Sequence, residues 1–171
     1  KSKRFVNINS LQKLLKVENQ KSLFVSVLVK PDESILNEMQ KLNFEYFQIY
    51  DCTPDEIKLI KKKYNKKIIS AITVETKEDI LKYKKYESCS DIILFDSKGY
   101  EKSLEFDHTL MENVPISVNS MIAGNIKHDD NLDKFTKICN YIDISGGVET
   151  SGLKDISKVK IFLDNIKKLN D

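Results

Sequence analysis

Paired glycines lie between an apolar run and an amphipathic stretch within residues 143–155. Residues 141–144 predict a buried strand, and apolar residues recurring every three to four positions over 156–169 predict a helix. A strand, a glycine turn and a helix start bring backbone N–H groups together where a phosphate can accept from them, aided by the helix dipole. The predicted anion-binding residues are Ser145, Gly146 and Gly147. Paired glycines can also form a tight turn that binds nothing, which is the less favoured alternative.

A second glycine turn, at Gly124 and Asn125, follows the preceding predicted strand. Two adjacent strand ends with glycine turns, just before the last two helices, are where many α/β barrels bind a phosphate. The pair of turns therefore favours phosphate binding over turns with a purely structural role.

Asp96 directly follows the apolar run 92–95, where a buried strand is predicted to end and the loop 97–100 to begin. A carboxyl group in this position can have a raised pKa and act as a general acid or base. It can equally cap a turn or accept hydrogen bonds from loop N–H groups. The residues alone leave both roles open.

Other polar residues are candidates on weaker grounds. Arg4 is the only arginine among 28 basic residues, and its planar fork suits bidentate recognition of a carboxylate or phosphate, although a surface ion pair is an equal alternative. Gln48 lies near the end of another predicted strand. His108 and His128 are isolated and predicted to be surface or capping residues, and Cys52 is a candidate exposed thiol without a nearby histidine.

Composition restricts the class of protein. With 171 residues, 40% of them hydrophobic, the chain can bury a sizeable core, and a single domain over 1–171 is predicted. The net charge of +2 gives no strong attraction to nucleic acid or an anionic membrane. Three cysteines without CxxC spacing argue against disulfides or a metal site, so a cytoplasmic protein with reduced thiols is expected.

Strands and helices are predicted to alternate along the chain. Apolar runs recur about every 22 to 25 residues, a spacing typical of one βα unit. They begin near Phe24, Tyr46, Ile68, Ile92, Ile116 and Tyr141. Helices are predicted over 10–17, around Ile80 and Tyr83, and over 132–139, with N-terminal caps at Thr53 and Thr76. The nearly continuous apolar runs 25–29 and 91–95 predict a sheet covered by helices.

Strict alternation leaves two architectures, an open doubly wound sheet or a closed (β/α)8 barrel. Both place the active site at the carboxyl ends of the strands, where the candidate residues are predicted to lie.

Six segments, in the right order, resemble the phosphoribosylanthranilate isomerase family. They are KSKRFV at 1–6, FQIYD at 47–51, ILFDS at 93–97, FDH at 106–108, AGNI at 123–126 and DISGGVE at 143–149. These are similar to the family's PKSKRYI, VQLHG, LLLDS, FDW, AGGL and DVSSGVE, and the last is the most specific.

The resemblance implies a (β/α)8 barrel that performs, without a cofactor or metal, the Amadori rearrangement of N-(5-phosphoribosyl)anthranilate. Asp96 matches the family's general acid, Arg4 the arginine that engages the anthranilate, and Gln48 lies in a substrate-binding segment. Both glycine turns match the phosphate site. A small phosphosugar substrate and a monomer or homodimer are expected, without nucleic acid or membrane as partners.

The sequence departs from the family's pattern in several places. The family's base cysteine belongs to a KICG motif on its first strand, which has no match here. Helix 2 and βα units 3 to 8 are therefore expected, with an open side to the barrel and no activity from this chain alone. His108 replaces a tryptophan, Asp51 and Asn125 each replace a glycine, and Gly146 replaces a serine.

Two other classes of function stay open. An incomplete barrel could be a noncatalytic phosphate-binding or assembly module. A receiver-like domain phosphorylated at Asp96 is disfavoured, because that fold needs an acidic pair after its first strand to hold Mg²⁺.

Overall fold

The computed structural model describes residues 4–17, 22–97 and 106–169. Strands alternate with helices over most of this length. The elements, with η for a 3₁₀ helix, are α1 Ile8–Leu14, β1 Val25–Val29, α2 Glu33–Gln40, β2 Tyr46–Tyr50, α3 Pro54–Tyr64, β3 Lys67–Val74, α4 Lys77–Ile80, α5 Tyr83–Tyr86, β4 Ile92–Ser97, η1 His108–Asn113, β5 Ser120–Ile122, η2 Leu132–Phe135, β6 Tyr141–Ile142, β7 Glu149–Thr150, β8 Leu153–Lys154 and α6 Ile156–Lys168.

Strands β1 to β6 form one sheet in which they follow the order of the chain. The pairs with a defined register, β1–β2, β2–β3, β4–β5 and β5–β6, are all parallel. This order arises when each βα unit lays its strand beside the previous one. The predicted α/β class is confirmed.

The chain divides into two compact units. The first contains Lys1–Ala71 and Ser88–Asp91, and the second contains Ile72–Glu87 and Ile92–Asp171. Strand β3 contributes residues to both. The single domain over 1–171 stays a prediction.

The second unit is built around one apolar core. Its fully buried side chains include Phe95 of β4, Met111 of η1, Ile122 of β5 and Phe135 of η2, and α6 adds Phe162. Burial of each such side chain contributes about 1.5 to 3 kcal/mol. This core fixes the ends of β4, β5 and β6, from which the candidate phosphate and acid residues extend.

The predicted burial of the strands is right for β4 and wrong for β1. Ile92, Ile93, Leu94 and Phe95 are buried, whereas Val27 is 61% exposed. Strand β4 lies between β3 and β5, while β1 is the last strand in the sheet order of the described residues. An apolar run alone does not distinguish a central strand from the end strand of a sheet.

Several predicted boundaries are corrected. β5 begins at Ser120 rather than near Ile116, because Pro115 opens a turn in which Val118 N–H donates to the Pro115 carbonyl over 2.9 Å. The helix predicted around Ile80 and Tyr83 is divided into α4 and α5, and 132–139 contains only the short η2. The first helix is Ile8–Leu14 rather than 10–17.

The predicted start of α3 is confirmed. Glu56 Oε2 accepts from Thr53 N–H over 2.6 Å, and Thr53 Oγ1 accepts from Glu56 N–H over 3.3 Å. This reciprocal capping box satisfies two backbone donors that the helix leaves unpaired. Pro54 occupies the first turn, where its missing N–H has no consequence.

Asp79 stabilises the start of α4 through its carboxylate. Oδ2 accepts from Glu75 N–H and Thr76 N–H, each over 3.0 Å, and Oδ1 lies 2.6 Å from Lys82 Nζ. Burial raises the pKa of Asp79, but the hydrogen bonds from Lys82 and the two backbone groups outweigh it and lower the pKa to about 2.

Asp79→Asn is therefore expected to lower the free energy of unfolding by about 1 kcal/mol at pH 7, because the charge-assisted hydrogen bonds are lost. The folded pKa lies below the unfolded value of about 4, so this contribution is present above pH 4 and is lost as the pH falls through about 2. Urea unfolding of both proteins between pH 2 and 7 measures it.

Asp164→Asn is the matched control for Asp79. Asp164 also forms an i,i+3 pair with a lysine, Lys167, but over 3.6 Å and with 65% of its side chain exposed. A change of less than about 0.5 kcal/mol is expected there. Equal losses in the two variants would contradict the capping role of Asp79.

No helix in the described ranges is long and apolar enough to cross a membrane.

Candidate functional site

Strand β4 ends in Asp96 and Ser97, within the second unit. Asp96 is half-buried, and its Oδ1 accepts from Ser97 N–H over 2.8 Å. This bond orients the carboxylate at the end of the strand. Accepting a hydrogen bond from a neighbouring N–H group is the structural role that the sequence also allows for Asp96. The loop predicted after it, 97–100, lies outside the described residues beyond Ser97.

The first glycine turn lies directly against the end of β4. Ala123 N–H donates to the Phe95 carbonyl over 2.9 Å, which places the next residue, Gly124, beside Ser97. Gly124 has φ +91°, and a Cβ there would lie 2.9 Å from Ser97 Oγ. Both the backbone conformation and the contact therefore favour glycine. The structure therefore places the Gly124 turn against Ser97, the residue that follows Asp96.

Asn125 extends the same turn in the left-handed region, with φ 51°. Asparagine tolerates this conformation better than most residues with a Cβ. In the first unit, Asp51 follows β2 with φ 59°. Both residues stand where the related family has glycine, and asparagine and aspartate are the replacements that retain a left-handed turn most readily.

His108 also belongs to this part of the second unit. The prediction that it is an isolated surface or capping residue is therefore corrected. Its ring packs edge-on against Phe106 and Phe135, with centroids 4.9 and 5.4 Å away. Its Nε2 lies 3.3 Å from the carbonyl oxygen of Ala123. The ring therefore packs on Phe106 and Phe135 and contacts the carbonyl group that precedes Gly124.

The two glycine turns are joined through Gly147. Lys127 and Gly147 form a parallel β-bridge, and a Cβ on Gly147 would lie 2.0 Å from the Ile126 carbonyl oxygen. Only glycine allows this approach between the two backbones. The structure therefore brings together the sequence-predicted segments around Gly124 and Gly147.

Lys154 is a residue near the second turn that the sequence analysis missed. Its Nζ donates to the Ser145 carbonyl over 2.8 Å, lies 3.3 Å from Ser145 Oγ and pairs with Glu149 over 2.8 Å. The ammonium group fixes Ser145 and places a positive charge beside the candidate anion site. Nothing in the local sequence predicts this contact, because the β7–β8 hairpin is what brings Lys154 to Ser145.

That hairpin corrects the predicted link between the glycine turn and the last helix. Strands β7 and β8 pair antiparallel between Gly147 and α6. The start of α6 is capped by Asp155, which accepts from Ser157 N–H over 2.9 Å and Lys158 N–H over 3.3 Å. Hydrogen bonds from Thr150 and these backbone groups hold the pKa of Asp155 below its usual value. The N–H groups at the helix start therefore serve this cap and not the glycine turn.

The preceding strand and the helix stripe are also only partly as predicted. β6 is limited to Tyr141–Ile142, and Tyr141 is 43% exposed, so the prediction of a buried strand over 141–144 is wrong. In α6, Phe162 is buried and Val159 and Ile166 pack on the core, whereas Ile156 is exposed.

Gln48 and Arg4 belong to the first unit. Gln48 is buried in β2, and its Nε2 donates to the Tyr50 hydroxyl over 3.3 Å. Gln48 is the middle residue of β2 rather than its end. A buried amide with a fixed orientation can recognise a polar ligand. Arg4 is exposed and precedes α1.

The thiols do not form a reactive centre. All three cysteines are free and buried, including Cys52, so the prediction of an exposed thiol is wrong. Burial, and secondarily the charge of Glu56, raises the pKa of the Cys52 thiol, and burial raises the pKa of Cys139 to about 11. The described residues contain no group of three or more histidine, cysteine or acidic side chains that could hold a metal ion.

Comparison with known proteins identifies the family of this chain. Residues 1–165 match the family model of N-(5'phosphoribosyl)anthranilate isomerase. The N-(5'-phosphoribosyl)anthranilate isomerase of Rhizobium johnstonii is 28% identical, over 99% of this chain and 82% of that protein. The enzyme of the same name from Streptococcus mutans is also 28% identical, over 98% of this chain and 84% of that protein.

Solved structures extend the similarity to the fold. Phosphoribosyl anthranilate isomerase from Thermotoga maritima superimposes with a TM-score of 0.85 at 22% identity, over 98% of this chain and 84% of that chain. A complex of such an isomerase with reduced 1-(o-carboxyphenylamino)-1-deoxyribulose 5-phosphate gives a TM-score of 0.83 at 21% identity, over 98% and 83% of the two chains. Of the two architectures left open by the sequence, the comparison confirms the (β/α)8-barrel type.

Proposed function

Because the chain belongs to the N-(5'phosphoribosyl)anthranilate isomerase family, we propose that the protein, as its gene encodes it, catalyses the isomerase step of tryptophan biosynthesis. The reaction converts N-(5-phosphoribosyl)anthranilate, an aminoaldose, into the ketose 1-(2-carboxyphenylamino)-1-deoxyribulose 5-phosphate. The observation that best supports this proposal is the convergence in the second unit of a strand-end carboxylate with two joined glycine turns.

The proposed general acid is Asp96. Protonation of the ribose ring oxygen by its carboxyl group opens the furanose and leaves a positively charged iminium at C1. Loss of the C2 proton to a base then gives an enolamine, which tautomerises to the ketone. The half-buried position of Asp96 at the end of β4 supports the acid role, and the Ser97 N–H bond sets the orientation of the carboxyl group. The Cys52 and Cys139 thiols are poorly suited to be the base, because burial raises the pKa of both.

The proposed phosphate site consists of the two glycine turns. Its residues are Gly124, Asn125, Ser145, Gly146 and Gly147. Backbone N–H groups in left-handed or tight turns form concave sites for anions, and the turn at Gly124 and Asn125 has two consecutive positive φ angles. Lys154 holds Ser145 through its backbone carbonyl, while the charge of the ammonium group is paired with Glu149. In this arrangement the phosphate is held by the loops themselves and not by the start of α6.

Arg4 and Gln48 are the residues proposed for the anthranilate end of the substrate. The Arg4 guanidinium can pair with the substrate carboxylate through two parallel hydrogen bonds. Gln48 supplies a buried amide with a fixed orientation. A cytoplasmic location, a monomeric or homodimeric state and the absence of a cofactor belong to the same proposal.

The activity is tested by incubating the protein, expressed as its gene encodes it, with N-(5-phosphoribosyl)anthranilate and measuring the carboxyphenylamino-deoxyribulose phosphate by chromatography. Binding is measured separately by calorimetric titration with the reduced analogue named above, which we refer to as the product analogue. We expect turnover and tight binding of this analogue.

Binding without turnover in the full-length protein would favour the noncatalytic phosphate-binding module. Failure of both measurements would contradict the proposed function, provided that circular dichroism shows a folded protein.

A further inference from the structure

His128 follows the first glycine turn in the chain, and its imidazole contacts the second glycine turn. Its Nδ1 lies 3.1 Å from the Gly147 carbonyl oxygen, and the side chain is 22% exposed. A carbonyl oxygen can only accept, so this hydrogen bond requires the proton on Nδ1. The same nitrogen lies 3.6 Å from the Asp129 carboxylate, which is 68% exposed. The prediction of His128 as a surface or capping residue therefore misses its main contact.

The backbone of His128 is also held by the last helix. Asn165 of α6 donates from Nδ2 to the His128 carbonyl over 3.4 Å. Residue 128 thus connects the segment after β5, the segment after β6 and the last helix. Its neighbour Lys127 forms the β-bridge with Gly147, so the side-chain bond and the bridge act on the same glycine.

The backbones of the two segments are so close at Gly147 that there is no room for a larger residue. The space for a Cβ on Gly147 is occupied by the Ile126 carbonyl, which is only one peptide from the bridge. A bond from His128 to the Gly147 carbonyl opposes rotation of the peptide that follows Gly147. The neighbouring peptides of that turn carry N–H groups of the proposed phosphate site, and an anion site needs such groups held in one orientation.

We propose that His128 is a positioning residue. It holds the Gly147 turn against the Gly124 turn and so keeps the backbone N–H groups of the proposed phosphate site in one orientation. This inference rests on the proposed phosphate-binding role of the two turns. His128 does not contact the phosphate in this proposal, and it acts only through the backbone of Gly147.

The test compares two substitutions. In His128→Leu the side chain keeps a similar volume but donates no hydrogen bond, whereas in His128→Asn the Nδ2 atom falls close to the position of the histidine Nδ1. Inorganic phosphate, the product analogue and anthranilate are each titrated into the wild-type protein and both variants by calorimetry. Thermal unfolding is recorded in parallel.

We expect His128→Leu to raise the Kd of inorganic phosphate and of the product analogue about five-fold, which corresponds to one lost hydrogen bond. Anthranilate lacks the phosphate, so its Kd should be unchanged. His128→Asn should restore the two phosphate affinities to within about two-fold of wild type. A purely structural role would lower the midpoint of unfolding without this selective effect on phosphate.

Each outcome separates the inference from its premise. If the wild-type protein binds the product analogue and His128→Leu binds it equally well, the positioning role is wrong while the phosphate site stands. If His128→Leu weakens anthranilate binding as much as phosphate binding, the effect is general loosening, and the inference is also overturned. If the wild-type protein binds neither phosphate ligand, the proposed phosphate site itself fails.

Discussion

Asp96→Asn is expected to lower kcat by a factor of about 10² to 10⁴, while the Kd of the product analogue stays within about two-fold of wild type. Asparagine has the shape of aspartate, and its Oδ1 can still accept from Ser97 N–H. The side chain therefore keeps the orientation seen at the end of β4 but has no acidic proton to give to the ribose ring oxygen. Steady-state turnover and calorimetric titration measure the two quantities.

Arg4→Ala provides the contrasting variant. A residue that only binds the anthranilate carboxylate contributes to ground-state and transition-state binding alike, so its loss raises KM with a smaller change in kcat. A charge-assisted hydrogen bond of this kind corresponds to about a ten-fold change in affinity. Variants at Asp96 and Arg4 with the same kinetic signature would contradict the assignment of separate roles.

An Asp96→Asn protein with full turnover would overturn the acid role. In that case the carboxylate would have a structural role, which includes accepting the Ser97 N–H bond at the end of β4. A variant that also loses its affinity for the product analogue would indicate a binding role instead.

The parts of the fold that the sequence predicts well depend on local physics. The capping box at Thr53 and Glu56 forms because both partners lie within one turn of the chain. The central strand β4 is buried on both faces and therefore apolar throughout. Alternation of strands and helices also predicts a parallel sheet, but it leaves open whether the strands follow the order of the chain, as they do here, or the order of a doubly wound sheet.

The parts that the sequence misses depend on contacts between distant segments. Each strand of the β7–β8 hairpin has only two residues, which is too short for a detectable alternating pattern. The hairpin nevertheless places Lys154 beside Ser145. His128 and Gly147 are 19 positions apart, and nothing near either residue indicates their hydrogen bond. Val27 shows the opposite error, since its exposure depends on its place in the sheet and not on its neighbours in the chain.

Gly147→Ala is expected to have the largest structural effect of any single methyl group added to the candidate site. The new Cβ would lie 2.0 Å from the Ile126 carbonyl oxygen and 2.9 Å from Lys127 Cα. Both are backbone atoms that cannot rotate away, so the β-bridge between residues 127 and 147 must open. We expect the free energy of unfolding to fall by about 2 kcal/mol, and the affinity for inorganic phosphate to fall at least ten-fold.

Gly152→Ala separates the close contact from the general cost of replacing a glycine. Gly152 has φ +79° and no heavy atom within 4 Å of an added Cβ, so this variant suffers only backbone strain of about 1 kcal/mol. Its phosphate affinity should match wild type, because the turn between β7 and β8 makes no part of the proposed anion site. Urea unfolding and phosphate titration of the two variants decide the matter. If Gly147→Ala binds phosphate as well as Gly152→Ala does, close contact between the two backbone segments is not what forms the phosphate site.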